Sequence, residues 1–254
     1  MPIALITGAG RGIGAAIADR LAAAGWDLVL VDACRNDPAV AYSLATREDL
    51  DSVAERTGAV AFVGDVRSVD DLEAAVASLP QLDAAIAAAG VLVGGAPLWE
   101  SDPDALRVQM DVNVGGVANL ARVAVPRLLA RPAPRRGRFV ALGSATASKA
   151  TPQLAGYAAS KAGVATLVRS LAAELAGTGV TANVVEPGTT DTALLAPSQA
   201  VYGLSNAEGL VANQIDTRVL DPDEIAAGVE WLCSEDAGAV TGAIMPVDAG
   251  FSAR

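Results

Sequence analysis

Short apolar runs alternate with helical stretches from one end of the chain to the other. The runs are Ile3–Ile6, Asp27–Val31, Val60–Val63, Ala84–Ala87, Arg138–Leu142, Thr181–Val185 and Ala243–Pro246. They are apolar without alternation, which predicts parallel strands covered by helices on each side. Helix starts are marked between them. Thr46 with Asp49, and Ser68 with Asp71, fit a cap followed by an acid three residues on. Thr151-Pro152 and Asp221-Pro222 each place a cap residue before proline, predicting that helices open there. The alternation predicts an α/β fold: one doubly wound, seven-stranded parallel sheet with helices on both faces, in a single domain over 1–254. No internal repeat or composition shift divides the chain, and the basic, proline-containing stretch 131–138 reads as a loop. Two segments exceed a minimal alternation, Ala33 to Ala45 and Ala193 to about Asn213. Loops this long inside a domain are usually functional.

Composition narrows this picture. Hydrophobic residues are 52% and aromatics only 4%, so the core is built from small side chains on closely approaching elements. A net charge of −11 and a pI near 4.4 exclude a phosphate-neutralising surface, and with it nucleic-acid partners. No apolar run reaches the ~18 residues of a membrane span, so no membrane partner is expected. The start "MPIALITGAG" lacks the basic region and cleavage site of a signal peptide. There is no histidine, and the two cysteines, Cys34 and Cys233, have no ligand spacing. A reduced, cytoplasmic protein without a metal site is expected.

The first turn carries the first chemistry. In "LITGAGRGIGAAIA" a strand runs into Gly8, Gly10, Arg11, Gly12, Ile13 and Gly14, and a helix follows. Glycines let the backbone approach a pyrophosphate, which the helix N-terminus then meets with free N–H groups. Asp32 ends the second strand about 20 residues later, where an acid bonds adenosine ribose hydroxyls and repels a 2′-phosphate. That favours NAD over NADP. Arg11 is a counter-signal, since an arginine there suits a phosphate.

The second chemistry is "GYAASKAG", residues 156–163, where Tyr157 and Lys161 share a helix face one turn apart. A phenol of pKa ~10 is a poor base, but a neighbouring ammonium and an oxidised nicotinamide both favour the phenolate. Ser144 stands 13 residues earlier, just past the strand "RFVALG". Ligands in this architecture bind beyond the carboxyl ends of the strands, so Ser144 and Tyr157 can reach one substrate oxygen.

With these residues in view, the chain resembles the short-chain dehydrogenase/reductase family. The matching positions are Thr7-Gly8, Gly12 and Gly14, Asp32, Asp65-Val66, Ala89-Gly90, Asn113, Ser144, Tyr157 with Lys161, Pro187-Gly188 and Thr192, in family order, with "MPVDAG" extending the match. The resemblance implies a Rossmann-type fold binding NAD, and hydride transfer between it and an alcohol, ketone or aldehyde. It implies that Tyr157 is the general base or acid, that Lys161 lowers its pKa and bonds the nicotinamide ribose, and that Ser144 orients the substrate oxygen. Asn113 would hold a helix kink and a relay water. Ala33, Asp65 and Val66 would lie at the adenosine, Ala89 and Gly90 along the cofactor, and Pro187, Gly188, Thr190 and Thr192 at the nicotinamide. The family commonly forms homotetramers. Two positions depart from its pattern. Ala87-Ala88-Ala89-Gly90 stands where the family has Asn-Asn-Ala-Gly, and Glu186 stands where a small or neutral residue is usual. Glu186 would either pair with a Lys or Arg or attract the nicotinamide charge.

The segment 33–49, especially "AYSLATREDL" running into a capped helix, and the later "NQIDTRVLDPDEIA" resemble the mycofactocin-associated branch. That resemblance implies an insertion over the adenosine end, with Tyr42 and Leu44 on the adenosine, and a retained NAD recycled by mycofactocin as external redox carrier. The other reading is a longer surface loop with free exchange. In 193–213, Leu194, Leu195, Val201, Tyr202 and Leu204 are either an apolar substrate wall or oligomer contacts. Two other functions compete with the dehydrogenase. Asp32 counts against an NADPH-dependent 3-oxoacyl carrier-protein reductase, and an intact Ser144, Tyr157 and Lys161 against a non-catalytic NAD-binding regulator.

Overall fold

A computed structural model describes residues 1–77 and 79–253. Seven strands form one parallel sheet in the order β3-β2-β1-β4-β5-β6-β7. They are β1 (Ile3–Thr7), β2 (Asp27–Asp32), β3 (Val60–Val63), β4 (Ala84–Ala87), β5 (Arg138–Leu142), β6 (Thr181–Pro187) and β7 (Ile244–Val247). All seven runs expected from the sequence are strands, shifted by at most a residue or two at their ends. β1, β4 and β5 are buried at every position, whereas β3 closes one edge and is half-exposed.

Alternate residues of each strand point to opposite faces, and the helices divide accordingly. Ala4, Ile6, Leu28, Leu30 and Ile86 pack under α1 (Gly12–Ala23), α2 (Arg47–Thr57) and α9 (Pro222–Cys233). Leu5, Val29, Val31, Ala85 and Phe139 pack under α3 (Val69–Ala77), α5 (Gly116–Leu129) and α6 (Ala155–Glu174). Small residues set the spacing: a Cβ at Gly116 would lie 2.6 Å from the Val66 side chain. Buried Arg138 ties the start of β5 to the carbonyl of Ser234, beyond the C-terminus of α9, with its Nε and Nη2 at 3.2 and 3.1 Å. Among the described residues, no helix is long and apolar enough to cross a membrane.

Three of the four cap signals mark helix starts. Thr46 and Asp221 form reciprocal capping boxes with Asp49 and Glu224. Ser68 accepts the Asp71 N–H, but the Asp71 carboxylate turns instead to the N–H of Asp65. Thr151-Pro152 is the exception. α6 begins at Ala155, because Gln153 takes φ 64° and the chain turns at Thr151–Leu154. The carbonyl of Gln153 accepts the N–H of Gly95, so this turn serves a long-range contact rather than a helix.

Candidate active site

The sheet reverses its winding between β1 and β4, and a cavity of about 730 Å³ opens beyond the carboxyl ends of the strands there. This is the crevice where doubly wound sheets bind ligands, and the volume is in the range of small-molecule sites. Every candidate cofactor-binding residue lines it, from Gly8 to Thr192, together with Ser144, Tyr157 and Lys161. Asn113 stands behind the wall.

At one end the glycine turn follows β1. Gly8 has φ 68° and lies against the backbone of Ala88 and Ala89, where a Cβ would come within 2.5 Å. A Cβ on Gly14 would lie 2.1 Å from the carbonyl oxygen of Gly8, inside the turn itself. Neither backbone can retreat, so Gly14→Ala should cost about 3 kcal/mol, the upper end for overpacking. Thermal denaturation would read this as a fall in Tm of roughly 6–12 °C. The alanines that replace the family's asparagines leave β4 held by backbone: the Ala88 N–H donates to the Thr7 carbonyl, and the Thr7 hydroxyl to that of Ile86.

Asp32 ends β2 facing this turn and accepts the Gly10 N–H at 3.0 Å. Arg11 does not compete with it, since its guanidinium donates to the Ser43 carbonyl at 2.6 Å. Asp65 accepts from Arg67 and from Arg35 at 2.6 Å, and Arg67 also reaches Asp37. Burial would raise the Asp65 carboxyl, but the side chain and N–H of Arg67, with Arg35, hold it at about 2. This arginine clamp was not singled out in the sequence. Arg35 and Asp65, and Arg67 and Asp37, are each 30 residues apart, and no motif marks these pairs.

The segment 33–45 remains irregular and crosses the cleft. It is tied by Arg35 to Asp65, by Ser43 to Arg11, and by Tyr42, whose hydroxyl accepts the Leu92 N–H at 3.0 Å. Leu92 packs on Tyr157, and the Tyr42 phenol is near enough to raise the Tyr157 pKa. Tyr42 therefore reaches further towards Tyr157 than an adenosine contact requires. Burial also raises the Tyr42 phenol itself.

At the other end, α6 presents Tyr157 and Lys161, both buried. Burial pushes the Tyr157 phenol up to about 12, against a downward pull from the Ser144 hydroxyl. Lys161 is lowered to about 8 by burial and donates to the Leu142 carbonyl at 2.9 Å. Its Nζ is 5.8 Å from the Tyr157 ring centre. In the protein alone, burial thus outweighs the Ser144 hydrogen bond, and the expected depressed phenol is not reached. Asn113 lies in a π-helical turn, Met110–Gly115. Its amide accepts from Val91 N–H and donates to the Val91 carbonyl and to Ser160, which in turn donates to the Tyr157 carbonyl. Both amide hydrogens are committed, so Asn113 fixes the cleft wall to α6.

Glu186 does not face the cavity. It is buried at the end of β6 beside Gly143, and no ion pair to it occurs among the described residues. Burial and the nearby Asp248 raise its carboxyl, with a weaker opposing pull from Arg169. In 193–213, two short helices form, α7 (Leu195–Val201) and α8 (Glu208–Val211). Leu194, Leu195, Tyr202 and Leu204 line the cavity, while Val201 packs on Leu92, Leu154 and Tyr157. The Tyr202 hydroxyl donates to the Pro152 carbonyl at 3.0 Å, joining this segment to the turn before α6.

A family model described as Enoyl-(Acyl carrier protein) reductase matches residues 8–252. The chain belongs to the short-chain dehydrogenase/reductase family. It is 36% identical to (-)-trans-carveol dehydrogenase of Rhodococcus erythropolis, covering 99% of this chain and 98% of that one. It is 34% identical to cis-4-hydroxycyclohexanecarboxylate dehydrogenase of Sinomonas cyclohexanicum, covering 99% and 96%. The crystal structure of carveol dehydrogenase from Mycobacterium avium in complex with NAD superposes with TM-score 0.93 at 30% identity, covering 100% of this chain and 98% of that one.

Proposed function

We propose that the chain is an NAD-dependent alcohol dehydrogenase, or carbonyl reductase, for an apolar substrate. One observation carries the proposal: Ser144, Tyr157 and Lys161 line one end of a cavity whose other end is the glycine turn and Asp32. The residues fit the cofactor. A pyrophosphate meets backbone that no Cβ could occupy, at the start of α1, and the ribose meets a carboxylate that would repel a 2′-phosphate. The nicotinamide of bound NAD supplies the site for the hydride that leaves the carbinol carbon. Ser144 donates to the substrate oxygen. Tyr157, as phenolate, accepts the hydroxyl proton as the C–H bond breaks and the carbonyl forms; in the reverse direction the phenol returns that proton. Lys161 and the positive nicotinamide bring the phenol down from about 12. The segment 193–213 covers the substrate, and its leucines make the wall apolar.

The 33–45 segment is a strap that slows NAD release, which suits recycling in place by mycofactocin as the external carrier. The proposal extends to a cytoplasmic homotetramer, to be checked by sedimentation of the purified protein. Protein purified without nucleotide, desalted and denatured should release near-stoichiometric NAD(H), and the NAD-loaded protein should oxidise alcohols with an artificial acceptor. An empty preparation that exchanges NAD freely would remove the strap and carrier but leave the dehydrogenase. Tyr42→Phe leaves the Leu92 N–H without its partner, a loss of about 1 kcal/mol. NAD should then dissociate roughly fivefold faster with little change in association, as read by stopped-flow displacement.

A further inference from the structure

We propose that Arg138, Thr181 and Ser234 form a buried site for a small monovalent anion of the halide class, at the end of the sheet away from the cleft. Arg138 opens β5 and Thr181 opens β6, and the two are register partners in that parallel pair. Side chains two residues apart share a face, and Val140 and Val185 pack in the cluster beneath α9. Arg138 and Thr181 therefore face α9 side by side, on backbones ~4.8 Å apart. Ser234 caps the C-terminus of α9 against them, where its carbonyl accepts Nε and Nη2 of Arg138.

Two independent observations point to a ligand. The first is an unbalanced charge. A guanidinium stays protonated, yet Arg138 is only 3% exposed and no ion pair to it occurs among the described residues. Buried charges are ordinarily paired, because an unpaired one is costly. Of the five N–H hydrogens of a guanidinium, three go to the carbonyls of Ser234 and Gly137, which leaves two unspent. The nearby candidates for a counter-charge do not serve. Burial pushes the Cys233 thiol up to about 12, so it stays neutral. Glu235 is exposed and paired with Arg136. The second observation is a pair of hydroxyls. Among the described residues, the buried side-chain oxygens or nitrogens without a hydrogen-bond partner are Thr181 Oγ1 and Ser234 Oγ. Buried polar groups are almost always bonded. Here both exceptions adjoin the same unpaired cation. Every unspent group in the cluster can donate a hydrogen, and one anion would accept from all of them while balancing the charge. A water could bond the hydroxyls but would leave the charge standing. The loop after α9 closes over the guanidinium, with Gly238 beside Nη2, so the enclosure suits a single-atom anion rather than phosphate or sulfate.

An anion held only by the folded chain stabilises it by linkage. The test compares thermal midpoints in sodium chloride and in sodium gluconate at equal ionic strength, gluconate being too large to enter. Chloride at about fifteen times its dissociation constant should raise the midpoint by roughly 3–7 °C. Thr181→Val and Ser234→Ala keep the guanidinium and its carbonyl bonds, and each should lose most of that chloride increment. In gluconate their midpoints should be unchanged or higher, because each removes a buried hydroxyl that has no partner. Crystals grown in sodium bromide should show an anomalous peak touching the Arg138 guanidinium and the Thr181 hydroxyl. Equal midpoints in the two salts, an increment that both variants retain, or a water at this place in the bromide crystals would overturn the proposal. A bromide peak there without any chloride increment would mark an adventitious ion only, and would overturn it as well. None of these readouts touches turnover, so the dehydrogenase reading stands or falls separately.

Discussion

Tyr157→Phe is expected to lower turnover by about 10³-fold, within the 10²–10⁴ range of a positioned general acid or base. The substitution removes one oxygen and leaves the ring in its cluster with Leu92 and Leu154. The fold and its thermal midpoint should therefore hold, and NAD should bind within a few-fold of the unaltered affinity. That combination separates the dehydrogenase from a non-catalytic NAD-binding regulator, in which the phenol would have no catalytic use. A variant that keeps its turnover would sink Tyr157 as the base. A variant that loses NAD as well would show that the phenol's main task is to hold the cofactor.

The same residue shows how far the sequence could be read. Tyr157 and Lys161 share a face because the helix period puts them there, and no tertiary information is needed to see it. Their pKa values are another matter. Those depend on how completely Leu92, Leu154 and the neighbouring segment exclude water, and burial pushes the phenol up to about 12 and the ammonium down to about 8. The strands were legible because buried parallel strands are apolar at nearly every position. The glycine turn was legible because only glycine tolerates backbone at the distances found between Gly14 and Gly8. Thr151-Pro152 was misread because a cap residue before proline fits a turn as well as a helix start, and the contact from Gln153 to Gly95 decided the matter. The 33–45 segment was visible as a long link, but its path was not. Tyr42 and Leu92 are 50 residues apart, and Arg35 and Asp65 are 30 apart. Such pairs leave no local period or cap.

Lys161→Met should separate the two directions of the reaction. Alcohol oxidation needs the phenolate, so its rate rises with pH until the phenol ionises. A nearby ammonium lowers that ionisation by roughly one to three units, and its loss moves the rising limb to higher pH by the same amount. At neutral pH the phenolate fraction, and with it the oxidation rate, should fall by about 10- to 1000-fold. Carbonyl reduction starts from the neutral phenol, which the substitution favours, so its rate should fall less at the same pH. Methionine fills the buried space that the lysine stem occupies, but it leaves the Leu142 carbonyl without its donor. Weaker NAD binding is expected to accompany the change, which is why the comparison must be made at saturating cofactor. A limb that does not move, with both directions reduced equally, would assign Lys161 to holding the cofactor alone. A limb that moves while reduction is spared would identify the ammonium as the group that turns a buried phenol into a base.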